Sequence, residues 1–231
     1  MMKKILSILG LIVPALAAAQ AYTGKIVIDG VEYGGSEVVR GNHRRAEETR
    51  ALPCFEGITV EAGVELSYRP GDHCQARLIG DSNLLGLILT EVSSRRLRIG
   101  VSRSIQSEGS LRVEVQSPSL SELEVEGSGN VELIGVDTPS LRIAVGGSGN
   151  VRGEGRTGAL EAYADGSGNL DLARLHAEEA SIRISGAADA KVYAARRLKV
   201  DISGAGNVVY YGRPAQVLTD ISGAGDVEAG E

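Results

Sequence analysis

The chain has no tryptophan, a single phenylalanine and only two methionines among its 231 residues. Compact enzymes usually fill much of their core with bulky aromatic side chains, and this chain does not have them. Valine, isoleucine, leucine and alanine must therefore fill the interior, which favours a narrow and uniform core.

The sequence also has no stripe of basic residues and no cluster of metal-ligating residues. The formal net charge is -6, and a surface that binds phosphate backbones needs concentrated lysine and arginine. Two cysteines and three scattered histidines do not match the spacing of a zinc site. We therefore expect no nucleic-acid partner, no metal and no cofactor.

The longest apolar run is too short to span a bilayer. Residues 5–19 are mostly apolar, follow Lys3-Lys4 and end in small residues, which is the pattern of a cleaved signal peptide. A spanning helix needs about 20 apolar residues, although an uncleaved anchor is the alternative. We predict a signal peptide over residues 1–21. The mature chain would not span a membrane and would be periplasmic, on the outer surface or secreted.

Export would place the two cysteines, Cys54 and Cys74, in an oxidising compartment. In an oxidising compartment an isolated pair of cysteines more often forms a bridge than stays reduced. A disulfide that closes a loop of this size would stabilise the folded chain by about 3 kcal/mol. We predict a structural disulfide between them.

The second half of the chain is repetitive. Gly-Ser-Gly-Asn occurs at 127–130, 147–150 and 166–169, and related motifs follow at 186–189, 204–207 and 223–226. The last residues of these motifs are 20, 19, 20, 18 and 19 positions apart, so a turn recurs throughout this half. The predicted turn residues are the first and last of each motif: Gly127, Asn130, Gly147, Asn150, Gly166, Asn169, Gly186, Asp189, Gly204, Asn207, Gly223 and Asp226.

Aligning the motifs produces columns of like residues. One position after each turn stand Val131, Val151, Leu170, Ala190, Val208 and Val227. Apolar columns lie two positions apart, which indicates strands. The residues two positions after each turn should face solvent, and their charges alternate in sign, beginning Glu132, Arg152, Asp171 and Lys191. Parallel strands stacked in register would place these opposite charges beside each other.

We predict an all-β chain with a parallel β-helix, or β-solenoid, of about six C-terminal rungs, each of roughly 19 residues. The first glycine of each motif is expected to need a positive φ angle. The asparagine and aspartate side chains are expected to tolerate left-handed conformations and to form a hydrogen-bonded ladder.

The N-terminal half is less regular but also rich in strands. Asp29-Gly30 between two apolar runs predicts a hairpin, and residues 41–50 are polar enough to form an exposed loop. We divide the mature chain into residues 22–54, with the hairpin and the polar loop, and residues 55–231, the solenoid domain. The first strands of that domain would cap its N-terminal end.

Four segments together resemble a known family. They are residues 55–60, 81–85, 118–120 and 123–130, the last reading Leu-Glu-Val-Glu-Gly-Ser-Gly-Asn. In this order they resemble the DUF2807 family, also called the auto-transporter adhesin head GIN domain. The resemblance implies a right-handed parallel β-helix in an envelope or secreted protein, and it carries no catalytic residues.

One charged cluster could be a surface site. Arg183, Asp201 and Asp220 occupy the same column on consecutive rungs, and paired carboxylates beside a base occur in β-helices that cleave polysaccharides. Proximity could raise the pKa of one carboxyl group. The simpler interpretation is a solvated face on which Arg183 balances one aspartate.

We therefore predict a non-enzymatic, exported β-solenoid that acts as an envelope or surface binding module of the adhesion type. Its partner would be a glycan or a protein at the cell surface, and it could form a homo-oligomer. The alternatives are a glycan-active lyase or hydrolase and a purely structural envelope module.

Overall fold

A computed structural model describes residues 38–231 and, before them, only the strands at 21–22, 25–28 and 31–34. The described chain is all-β, as predicted, and its one helical element is a 3-10 turn over Leu85–Leu87. Most strands belong to one continuous sheet of 15 strands.

The C-terminal half is a parallel β-solenoid of about five turns over residues 122–229. The six turn motifs therefore delimit about five full rungs, one fewer than the six predicted. The strands are β13 (Glu122–Val125), β14 (Val131–Val145), β15 (Val151–Ala164), β16 (Leu170–Ile184), β17 (Ala190–Ile202), β18 (Val208–Tyr211), β19 (Gln216–Ile221) and β20 (Val227–Ala229).

The predicted in-register stacking is confirmed column by column. Val131 pairs with Val151, Val151 with Leu170, and the series continues through Ala190. The inward-facing positions of these strands are buried, and alanine, valine, leucine and isoleucine fill most of them. Each rung contacts its neighbours, so the core is a continuous column rather than one central cluster.

Strands β14 and β15 each have a glycine bend where the register shifts. Between Leu133 and Val136 the pairing of β14 with β15 is interrupted, and Gly135 adopts a φ of 69°. On the next rung Gly155 has a φ of 134° beside a similar shift. These bends need a backbone that L-residues with side chains rarely adopt, and glycine supplies it.

The expected reason for the glycines in the turn motifs is wrong. Positive φ angles occur at Gly135, Gly155 and Gly212, and none of the six motif glycines has one. The same correction applies to the motif asparagines and aspartates, because the non-glycine residues with positive φ lie elsewhere. Direct stacking is the actual constraint: a Cβ on Gly147 would overlap the carbonyl oxygen of Gly127 on the previous rung.

The asparagine side chains link one turn to the next. Asn130 Oδ1 accepts hydrogen bonds from the backbone N–H of Asn150 and from its Nδ2 at 3.0 Å. The N–H of Asn169 donates to Asn150 Oδ1 at 3.0 Å, and that of Asp189 donates to Asn169 Oδ1 at 3.1 Å. The turns therefore form a ladder along one corner of the solenoid.

The N-terminal strands continue the stack out of sequence order. They are β4 (Val38–Arg40), β5 (Arg45–Ala51), β6 (Gly57–Val60), β7 (Glu65–Pro70), β8 (Gln75–Asp81), β9 (Ile88–Ser93), β10 (Arg96–Val101), β11 (Ile105–Gln106) and β12 (Arg112–Ser117). Strands β6 and β7 pair in parallel with β13 and β14 on one side. On their other side they pair with β10 and β12, which come later in the chain.

Antiparallel strands close this end of the stack. β9 pairs with β10, β8 pairs with β12, and β5 covers β8. The prediction of a polar loop over residues 41–50 is therefore wrong in part: residues Arg45–Ala51 form a strand, because their backbone groups pair with β8 while the polar side chains stay mostly exposed. The Cys54–Cys74 disulfide is formed and ties the connection after β5 to the start of β8.

The remaining strands precede the solenoid. β1 (Ala21–Tyr22) pairs with β4, while β2 (Lys25–Ile28) and β3 (Val31–Gly34) pair antiparallel with each other. The expected turn at Asp29-Gly30 lies outside the described residues. So does the predicted signal peptide, apart from Ala21.

Candidate functional site

A groove of about 780 Å³ runs across five adjacent strands, β12, β7, β14, β15 and β16. Two rows of outward-facing side chains form its walls. One row is Arg112, Glu65, Asn130, Asn150 and Asn169, and the other is Glu114, Ser67, Glu132, Arg152 and Asp171. The register explains both rows, since Glu114 pairs with Ser67 and Ser67 pairs with Glu132.

The floor of the groove lies between the two rows. Leu66, Val131 and Val151 contribute to it, but their side chains are buried in the core. Positions two apart on a strand point to the same side and are about 6.6 Å apart. The groove is therefore a narrow channel that follows the solenoid axis, with a backbone floor and polar walls.

Most charges in the groove are paired. Arg112 and Glu65 form an ion pair at 3.1 Å, and Arg152 and Asp171 form one at 3.2 Å. The latter pair confirms the opposite charges that the repeat places on neighbouring rungs. Exposed pairs of this kind contribute little to stability, typically under about 1 kcal/mol each.

Four polar groups in the groove have no side-chain partner in the part of the chain that the structure describes. They are the guanidinium of Arg69, the carboxylate of Glu132 and the Nδ2 amides of Asn130 and Asn169. All four side chains belong to exposed residues. These groups can donate or accept hydrogen bonds without breaking a contact that holds the fold.

A second hollow of about 430 Å³ adjoins the groove and shares Glu65 and Asn130 with it. It is lined on its far side by Ile105 and by the turn that follows it. A ligand that lies in the groove therefore has room to continue past the ladder corner.

The predicted surface cluster is only partly assembled. Arg183 and Lys199 bind the carboxylate of Asp201 at 3.3 and 2.9 Å. Asp220 pairs in register with Asp201 but makes no ion pair among the described residues. The hydrogen bond from Lys199, followed by that from Arg183, lowers the pKa of Asp201 below its usual value. A carboxyl group held in its charged form is poorly suited to act as a general acid.

This pKa shift makes a testable prediction about stability. Because the folded-state pKa of Asp201 is lowered, its contribution is present above pH 3.8 and is lost as the pH falls through the folded value. We expect Asp201→Asn to lower the free energy of unfolding at neutral pH by less than about 1 kcal/mol.

Urea unfolding at several pH values measures this difference. It should shrink as the pH falls below 3.8, while Asp220→Asn, the control at a carboxylate without an ion pair among the described residues, should not lower stability at neutral pH. If Asp201→Asn lowers the free energy of unfolding by the same amount at acidic and neutral pH, the lowered pKa of Asp201 is contradicted.

The described residues contain no group of three or more side chains placed to bind a metal ion. No helix within them has the length and apolar character needed to cross a membrane.

The profile of DUF2807, described as "Putative auto-transporter adhesin, head GIN domain", matches residues 54–214. The chain belongs to this family. The match begins at Cys54, after β5, and covers strands β6 to β12 and most of the solenoid, so the GIN domain includes the whole groove.

Solved structures share the fold of this GIN domain. A "putative adhesin" from Bacteroides fragilis is 19% identical with a TM-score of 0.66, over 83% of this chain and 99% of that one. A "putative adhesin" from Parabacteroides merdae is 20% identical with a TM-score of 0.54, over 84% and 99%.

A "putative lipid binding protein" from Parabacteroides distasonis is also 20% identical with a TM-score of 0.54, over 84% of this chain and all of that one. At these identities the likeness concerns the fold. No curated protein matches the chain.

Sequence reasoning did not find the groove of the GIN domain. The repeat pattern places Asn130, Asn150 and Asn169 in one row and their charged neighbours in the next. It does not show that β7 and β12 extend both rows, because Ser67 and Glu132 meet only through pairing over a long sequence distance.

Proposed function

We propose that the protein is an exported, non-enzymatic binding module of the cell envelope or outer surface, of the adhesion type. The observation that carries the proposal is the long polar groove, which has unpartnered hydrogen-bonding groups on a rigid stack. The family description and the predicted signal peptide over residues 1–21 support it. In this proposal residues 22–54 precede the binding domain, which spans residues 55–231.

The charges support binding rather than catalysis. Asp201 is held ionised by two cations, and in the groove Glu65 and Asp171 are each paired with an arginine. A polysaccharide-cleaving site needs one carboxyl group that keeps its proton near neutral pH. The motif residues such as Gly147 and Asn150 have a structural role in this proposal, because their contacts join one rung to the next.

Binding to intact surfaces tests the proposed function. Cells that express the full chain are fractionated and labelled with an antibody, and the purified mature protein is incubated with envelope and host-matrix preparations. We expect the chain outside the cytoplasm and saturable binding that an excess of unlabelled protein removes. Retention in the cytoplasm, or no saturable binding to any surface, would contradict the proposal.

The last rung supports a second proposal, self-association. Val217 and Ile221 occupy core columns but are 38% and 41% exposed, whereas their neighbours Leu198 and Ile202 are buried. Among the described residues, strand β19 pairs only with β17, and its other edge carries backbone groups that no described strand pairs with. We propose that a second copy of this chain covers this end, because both copies present the same open edge.

A matched pair of substitutions tests this proposal by light scattering. Val217 is 38% exposed at the C-terminal end and Leu89 is 39% exposed at the capped end. We expect wild type and Leu89→Asp to be dimeric, and Val217→Asp to be monomeric but folded. Higher salt should strengthen the dimer, since it screens the acidic Asp220 and Glu228 near the open edge. A monomeric wild type would contradict self-association.

A further inference from the structure

We propose that the groove binds a linear, uncharged polysaccharide that lies along the solenoid axis. This inference rests on the proposed binding function and adds the chemical class of the ligand. Three features carry it: the shape of the channel, the balance of its charges and the kind of polar groups on its walls.

The channel suits an extended polymer rather than a compact ligand. Its walls repeat with every strand, at a spacing of about 4.8 Å along the solenoid axis. Five strands therefore give a channel about 19 Å long between the first and the last. A β-linked sugar chain advances by a similar length per monosaccharide, so successive sugars would meet equivalent wall positions.

The charge balance favours an uncharged chain. The groove has three arginines, Arg69, Arg112 and Arg152, and four acidic residues: Glu65, Glu114, Glu132 and Asp171. Charges of both signs lie side by side, and two of the arginines are neutralised by partners inside the groove. A polyanion would be repelled by the four acidic residues and a polycation by the three arginines.

The wall groups match hydroxyl groups. The free amides of Asn130 and Asn169 donate hydrogen bonds, the carboxylate of Glu132 accepts them, and the guanidinium of Arg69 donates. No aromatic side chain of the described residues lines the groove, so recognition would use hydrogen bonds instead of stacking on sugar rings. Each sugar would bind weakly, and affinity would rise with chain length until the channel is filled.

Three aromatic side chains of the solenoid lie outside the groove and contact neighbouring side chains. His176 and Tyr193 stack on each other with ring centroids 4.3 Å apart. The guanidinium of Arg142 covers one face of Tyr163 at 4.2 Å. One face of each of these three rings is therefore occupied by a neighbouring side chain.

A pair of identical substitutions tests the groove directly. Ser67 lies in one wall on β7, where its small side chain leaves the channel open. Ser67→Trp should block the channel, and Ser181→Trp places the same side chain at an outward position of β16 away from the groove. Both serines are partly exposed strand residues, so both variants should fold like wild type by circular dichroism.

The measurement is affinity electrophoresis of the full chain in gels that contain hydroxyethyl cellulose, mixed-linkage β-glucan or polygalacturonate. We expect the neutral polysaccharides to retard wild type and Ser181→Trp, and polygalacturonate to leave both unaffected. Ser67→Trp should bind at least tenfold more weakly. With defined β-glucan oligosaccharides, wild-type affinity should increase up to a length that fills the channel.

The outcomes separate this inference from the proposed function. Retardation only by polygalacturonate, or equal retardation of Ser67→Trp and wild type, would overturn the ligand class or the site. Saturable binding to cell surfaces without binding to either neutral polysaccharide would overturn this inference alone. Absence of both kinds of binding would overturn the proposed function as well.

Discussion

Gly147→Ala is expected to destabilise the protein by about 3 kcal/mol or more, the upper range for inserting atoms into a packed site. The new Cβ would overlap the carbonyl oxygens of Gly127 and Glu126 on the previous rung. These are backbone atoms held in the stack, so they cannot move aside as a flexible side chain would. Urea unfolding followed by circular dichroism measures the loss as a lower midpoint.

The neighbouring residue gives a matched control. A Cβ on Gly146 meets nothing within 4 Å, and Asp165 and Ser185 occupy the same place on later rungs. Gly146→Ala should therefore stay within about 0.5 kcal/mol of wild type. Equal stability of the two variants would show that the turns do not stack directly. The third motif position is less strict, because Ala188 stands there on one rung.

Removing the disulfide should have an effect of similar size. Cys54 and Cys74 are 20 residues apart and connect the segment after β5 to the strand that β5 covers. Losing a cross-link over such a loop costs about 3 kcal/mol in the chain-entropy model. We expect Cys54→Ser combined with Cys74→Ser to unfold at a clearly lower urea concentration than wild type.

Reduction provides the control for this variant. Dithiothreitol should lower the stability of wild type to that of the double variant and leave the variant unchanged. An unfolding midpoint that is the same with and without the bridge would mean that the cap strands are held by their pairing alone.

The solenoid itself could be predicted from the sequence because its information is local. Each rung carries its own turn and its own alternation, so Val131, Val151 and Leu170 align without any knowledge of the fold. The outward charges alternate in sign from one rung to the next, which favours parallel over antiparallel pairing. The role of the motif glycines was misjudged, since a close approach between rungs and a positive φ both require glycine.

The groove and the cap could not be predicted in the same way. Strand β6 lies between β13 and β10, so the spatial order of the rungs differs from their order in the chain. Nothing near Ile58 in the sequence indicates that it pairs with both Leu97 and Leu123. The groove depends on this arrangement, because two of its five strands, β7 and β12, belong to the N-terminal part of the stack.

Disulfide cross-linking of engineered cysteine pairs tests the parallel stack most directly. Glu132 and Arg152 are in-register partners, and adjacent strands about 4.8 Å apart allow a disulfide. Arg142 and Glu154 would face each other only if residues 131–164 formed an antiparallel hairpin. We expect Glu132→Cys with Arg152→Cys to form an intramolecular disulfide, found by mass spectrometry, and Arg142→Cys with Glu154→Cys to form none. The opposite result would contradict the solenoid and, with it, the groove.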